Sequence, residues 1–435
     1  MGVVLLSSPL FSQANCTRVT STSSLTTELI NEGYTASSWT GACHNACGGN
    51  IGLPPIVSIS SSSSFTPAGS LLASSTANFL TASQAKAYTE NQILFRCALA
   101  DAGSLSEIYT TQSYSAYSGM YETTDIEGAY HTYVNNVAIR LTNLKTGNYF
   151  TGRWQSRLLT SDDWVQDDTY IYIPASAFSD VYVELLRTSS TAITGISTSP
   201  YLYAWGYNSG FIGFRGPGLA SAGVVDGVLE GGNYYGWYEN YPGSFGMYGH
   251  VTFVRGAMCL VKDYPSVVLL PTISTASLNN GETSQSTFDI SLSCEDAAIS
   301  SVSKSTSSSA NVAMGFLVNQ STAVTAATTL GLTSTNGLTH LLDTNYGSSG
   351  VASGVGIRIY DQNGNVLNLL SSKTMTTGND GGWYAYKDLT TSQDDSTDGV
   401  TTYTGNFTAS LEAISGETVT AGSVNAQLQV VVSFQ

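Results

Sequence analysis

Charge is scarce in this 435-residue chain, where only 11% of residues are Asp, Glu, Lys or Arg. The 15 basic residues are outnumbered by 31 acidic ones, for a net charge of −16. Such a balance offers no attraction to nucleic acid or an anionic membrane and reads simply as a solubilising surface. Long hydrophobic runs are missing as well: no stretch of 18 apolar residues exists, which excludes a membrane-spanning helix. The signatures of common enzymes are absent, with no Gly-x-Ser-x-Gly elbow, phosphate-cradling glycine loop or His-Glu-x-x-His. Carboxylate pairs are too frequent to mark a glycosidase, so a non-enzymatic protein is expected. Helical periodicity is nearly missing, its best candidate being residues 82–94, and neither a coiled coil nor a fixed-period repeat emerges.

What is present is turn and strand chemistry. Glycine numbers 43 and tyrosine 26, with abundant Ser and Thr, a composition that points to an all-β protein. The length calls for two domains. In the first half, 136–149 reads as a hairpin turning at 143–147, and 170–173 and 181–185 as strands around a turn at 174–180, together a β-sandwich. The serine run 60–64, bounded by Pro54, Pro55 and Pro67, reads as a surface loop or an edge. Residues 201–250 lose periodicity to glycine and tyrosine, and regular alternation returns at 256–259, which puts the domain boundary near 255–263.

The end of the chain is its most regular part. After Gly422, the residues Val424, Ala426, Leu428, Val430, Val432 and Phe434 fall on one face of a strand. A glycine fourteen from the end and a penultimate aromatic resemble the C-terminal strand of subunits exported by the chaperone–usher pathway. Residues 353–360 followed by 361–364 look like the central hairpin of such a pilin domain, and 288–294 like its early strand. The resemblance spans about the last 175 residues.

Several expectations follow from it. The C-terminal domain, 257–435, would be an immunoglobulin-like sandwich lacking its last strand, with strands at 267–272, 288–294, 314–318, 355–360, 401–411 and 424–434. Its open groove would take a strand first from a periplasmic chaperone and then from an adjacent pilin subunit, at an outer-membrane usher. Gly422, Val424, Ala426, Leu428, Val430, Val432 and Phe434 would form the pairing strand. Cys259 and Cys294 would be the domain's disulfide. A preceding domain, 15–256, in place of a short donor extension resembles the two-domain tip adhesins at the end of a pilus on the cell surface, and the preceding domain would bind the receptor.

Residues 1–14 form a short uncharged apolar run ending in small residues, read as the remnant of a signal peptide, with a buried first strand as the other reading. Export agrees with six cysteines, and Cys16, Cys43, Cys47 and Cys97 can pair in three ways. Aromatic, amide and acidic residues suited to stacking on sugar rings and bonding their hydroxyls concentrate late in the first domain. The candidate contacts are Trp205, Tyr207, Asn208, Asp226, Glu230, Tyr235, Trp237 and Asn240, which could be core aromatics or grip a protein as paratope-like loops do. His44, His131 and His250 could form a three-imidazole zinc site, or be isolated hydrogen-bonded histidines, and no cofactor is expected. Asp162, Asp163, Asp167 and Asp168 read as a solvated loop. The stretch 394–399 fails as a calcium loop because Gly405 stands where a bidentate glutamate is needed. Three functions are consistent with these residues: a tip adhesin for a host glycan, an adhesin for a host matrix or plasma protein, and a structural tip subunit.

Overall fold

The computed structural model describes residues 15–42, 48–60, 62–63, 65–83, 87–231, 241–302, 310–372, 378–393 and 399–434. Strands dominate, and the longest helix among the described residues, Ser321–Thr329, has 9 residues. The chain falls into two compact units. One comprises Met1–Leu53, Pro67–Ser197 and Leu202–Val251; the other comprises Pro54–Thr66, Thr198–Tyr201 and Thr252–Gln435. The C-terminal domain is therefore not one contiguous stretch, because two short segments from the first half of the sequence belong to it.

Three sheets build the N-terminal unit. One runs in the order Leu71–Ala77, Val181–Arg187, Val137–Asn143, Ala129–His131. The second runs Thr17–Arg18, Ile93–Ala98, Tyr170–Pro174, Val165–Gln166, and the third Gly49–Asn50, Gly243–Gly246, Gly210–Arg215, Ser106–Thr111, Gln155–Leu158. The expected strands at 170–173 and 181–185 exist but lie in different sheets. The expected hairpin keeps its turn, with the Gly147 amide donating to Asn143, but its return arm makes a single bridge, Thr142 to Tyr149. Val137–Asn143 instead pairs along its whole length with Val181–Arg187.

The expected helix at 82–94 is overturned. A four-residue helix, Phe79–Ala82, ends there, and Ile93, Leu94 and Phe95 are wholly buried in a strand. A strand covered on both faces has no alternation to betray it, since consecutive side chains are all apolar. Its neighbour Cys97 is bonded to Cys16. Rings fill the space between sheets: Phe79 stacks on Phe178 at 5.0 Å, and Phe95 on Phe214 at 4.4 Å. Cys43, Cys47 and His44 lie outside the described residues.

In the C-terminal unit one sheet runs Cys259–Asp263, Ser284–Glu295, Val400–Ala413, Val355–Tyr360, Val366–Leu367, with Thr391–Ser392 also on Val400–Ala413. A second gathers Ile299–Ser300, Trp383–Ala385 and Gln429–Phe434 around Asn311–Leu317, and a third runs Tyr201–Leu202, Thr252–Gly256, Ile56–Ser60. Ile290, Leu292, Ile357 and Phe407 from the first sheet meet Val312, Met314, Phe316 and Phe434 from the second in one core. Cys259 and Cys294 are opposite each other in the ladder and are bonded. Such a bond, closing a loop of 35 residues, stabilises by about 4 kcal/mol in the chain-entropy account.

Of the expected strands, one is not formed and one is shorter. Residues 267–272 form no ladder, although their alternation survives: Val268 and Leu270 pack on the core while Val267 and Leu269 are 69% and 80% exposed. At the chain end only Gln429–Phe434 is a strand, and 424–428 is not, although Val424, Ala426 and Leu428 still turn inward. Periodicity reports which face is buried; a ladder needs a partner beside it.

Candidate functional site

Two regions carry functional geometry, one in each unit. In the N-terminal unit, Trp205 and Tyr207 stand on the segment leading into Gly210–Arg215 and meet two rings from distant loops. Trp205 stacks on Tyr133 at 4.8 Å, Tyr117 meets both edge-on at 4.9 Å, and Tyr207 tilts against Trp205 at 5.5 Å. All four are only half-buried. This ledge is anchored by polar contacts: the Trp205 indole donates to Ser115 Oγ at 2.9 Å, and the Tyr117 hydroxyl donates to the Thr194 carbonyl at 2.7 Å. The Tyr133 amide donates to the hydroxyl of buried Tyr203, and Ser118 Oγ to the Tyr207 carbonyl.

The loop bearing Tyr117 depends on Gly119, which has φ 146°. A side chain there would be strained and would collide with Thr111. Exposed Tyr114, Met120 and Tyr121 lie on the same loop. A second loop, beside residues 152–154, is held by bonds from the Gly227 amide to Trp154 and from the Glu230 amide to Gly152, and it exposes Val225, Val228 and Leu229. Ser113 joins the two loops, donating to Glu230 and accepting from the Gly231 amide.

Only part of the sequence-derived contact set comes together here. Asn208 and Glu230 are each 1% exposed and cannot face a ligand. Asn208 is pressed against the backbone around Gly48 and Gly246, and Glu230 lies beneath its loop with Ser113. Asp226 is exposed but is paired with Arg215 at 2.9 Å. Tyr235, Trp237 and Asn240 lie outside the described residues. Tyr117 and Tyr133 were missed because nothing local distinguishes them: they reach Trp205 only through the tertiary fold.

The histidines are apart in role. His131 is buried and bonded to Ser190 Oγ at 3.0 Å, burial pushes its pKa down while Asp125 opposes, and His250 is exposed. No group of three metal-ligating side chains exists among the described residues. The acidic loop is not merely solvated either. Asp163 accepts from Arg157 and Lys145, and although burial opposes the shift, Arg157 and the Thr160 amide hold its carboxyl below the usual range. Asp167 accepts from the Tyr172 hydroxyl and two backbone amides.

In the C-terminal unit the last strand pairs with Asn311–Leu317, from Val312↔Phe434 to Leu317↔Gln429. No ladder runs along its other edge among the described residues. Val424, Ala426, Leu428, Val430 and Val432 pack on the core yet stay partly exposed, as does the unladdered segment containing Val268 and Leu270. Gly422 lets the chain enter this edge, since a Cβ there would strike the backbone of Val351 and Ala352, where Ser423 bridges Val351. An apolar face beside an edge that carries no ladder among the described residues is what a further strand would cover.

Residues 246–435 match the sequence model of the family described as Fimbrial protein. The match falls on the main body of the C-terminal unit. The preceding all-β unit lies outside that match. Among solved structures, the chain is similar to the CupB6 tip adhesin from Pseudomonas aeruginosa (15% identity, 90% of this chain and 96% of that one, TM-score 0.24). It is also similar to the P pilus rod subunit PapA (17%, 41% and 99%, 0.24). A third is the CsuC–CsuE chaperone–tip adhesion subunit complex of Acinetobacter baumannii (14%, 89% and 100%, 0.18). No curated protein matches the chain.

Proposed function

We propose that this protein is the tip adhesin of a chaperone–usher pilus and attaches bacteria to a host glycan through its N-terminal unit. The observation that carries the reading is the half-exposed ledge of Tyr117, Tyr133, Trp205 and Tyr207, fixed by hydrogen bonds on the unit that precedes a fimbrial-protein domain. Aromatic faces held in place accept the CH faces of sugars with little loss of side-chain freedom. The C-terminal unit accepts a strand along the edge that begins at Val424, first from a periplasmic chaperone and then, at the usher, from the adjacent subunit. A chain that accepts a strand and carries a whole domain where shaft subunits carry a donor extension takes the end position of the fibre.

A protein receptor is the second reading, favoured by exposed Tyr114, Met120 and Tyr121 beside the ledge. The test is binding of the full chain to a glycan array and to a panel of host matrix and plasma proteins, with Trp205→Ala alongside. Saturable glycan binding weakened about tenfold or more in Trp205→Ala, roughly 1.4 kcal/mol, is expected. Binding to proteins alone would move the receptor to the second class. A well-folded chain that binds neither leaves a structural tip subunit.

A further inference from the structure

We infer that residues 56–60 are a strand supplied to the fimbrial domain from within the chain, and that this strand fixes where an incoming donated strand must stop. Ile56–Ser60 pairs in parallel with Thr252–Gly256 through five residues, from Thr252↔Ile56 to Gly256↔Ser60. Val57 and Ile59 are buried, and Ile56 packs on the fimbrial core. Both ends are tied down: the Thr252 amide donates to the Pro55 carbonyl at 2.7 Å, and Ser60 Oγ donates to Glu295 Oε2 at 3.0 Å. The same carboxylate oxygen accepts from the Met258 amide.

The middle of this strand meets the end of the chain. The Phe434 amide donates to Ser58 Oγ at 2.9 Å, and Ser58 Oγ lies 3.5 Å from Ser433 Oγ. In an antiparallel ladder successive residues direct their amides and carbonyls to opposite edges. Phe434 points away from Asn311–Leu317, so Val432 and Val430 point the same way, toward the open edge. Ser58 has taken the outward donor of Phe434, and no ladder meets the rungs at Val432 and Val430 among the described residues.

This inference rests on the reading that the last strand accepts a strand from another chain. Given that, the partner is an extended segment with apolar side chains at alternate positions, which faces Val424, Ala426, Leu428, Val430 and Val432 and ends short of Phe434. The internal strand stays in place while it binds.

The two serines allow the test. In the full chain, produced in a pilus-forming strain, Ser58→Cys/Ser433→Cys is expected to form a cross-link, mapped by mass spectrometry, and to enter pili within about twofold of wild type. No cross-link in the folded chain overturns the inference. So does a cross-linked chain whose incorporation falls about tenfold or more while each single variant incorporates normally, because the internal strand must then leave. Leu428→Arg serves as the control for the acceptor edge and is expected to abolish incorporation. Normal incorporation of Leu428→Arg refutes strand acceptance itself, whatever the cross-linked chain does.

Discussion

Removal of the Glu107 carboxylate should be among the costliest single changes in the N-terminal unit. Glu107 is wholly buried on Ser106–Thr111, the strand that leads into the loop carrying Tyr117. Its carboxylate accepts from Arg157 Nε at 2.8 Å, Ser179 Oγ at 2.9 Å, Asn143 Nδ2 at 3.1 Å and the Ser179 amide at 3.3 Å. Glu107→Ala strands these donors, and breaking a buried pair costs about 3–5 kcal/mol. Arg157 keeps Asp163 and the Ala177 carbonyl, which favours the lower end, about 3 kcal/mol. For a unit of this size that is a fall of about 6–12 °C in its melting transition. Glu107→Gln should fall between: its amide oxygen can serve Asn143 and the Ser179 amide, but its NH2 faces the Arg157 donor. Calorimetry of the full chain reads both, and well below the transition the ledge should bind as in wild type. A loss under about 1 kcal/mol for Glu107→Ala would refute the reasoning, since it would mean that those donors find water or new partners at once.

Two further outcomes concern the C-terminal unit. His340 is buried, accepts from Arg358 Nε at 3.2 Å, and has its pKa pushed down to about 4 by burial and then by Arg358, with Glu412 opposing. The unfolded chain then binds the extra proton first, so stability is full above pH ~6.5 and falls by about 3 kcal/mol as pH drops toward 4; denaturant titrations of wild type and His340→Gln should differ in that slope. Gly422→Val should block the approach to Val351 and Ala352, leaving the N-terminal unit's transition unchanged in calorimetry while the C-terminal unit's falls or disappears.

Several features were legible before the fold was known because they are local. Alternation at Val355–Tyr360, Ser284–Glu295 and the chain end reports a buried face at each strand, and low charge with abundant Gly, Tyr, Ser and Thr fixes an all-β class. Gly422 and Phe434 could be singled out by position, and the structure supplies their reasons: a close backbone approach and a place in the core.

Other features belong to tertiary structure because they join residues remote in sequence. The strand 93–98 is covered on both faces and carries no period to read. Cys16 finds Cys97 among three formal pairings, and Tyr117 and Tyr133 find Trp205 through folded loops. Asn208 and Glu230 have the chemistry of sugar contacts but are packed inside. The strand 56–60, beside a serine run that reads as a loop or an edge, belongs to a domain whose main body begins near residue 252. A sequence sets which face of each element seeks burial; which partner satisfies it depends on long-range pairing, where many segments of similar apolar content compete and only the assembled core selects one.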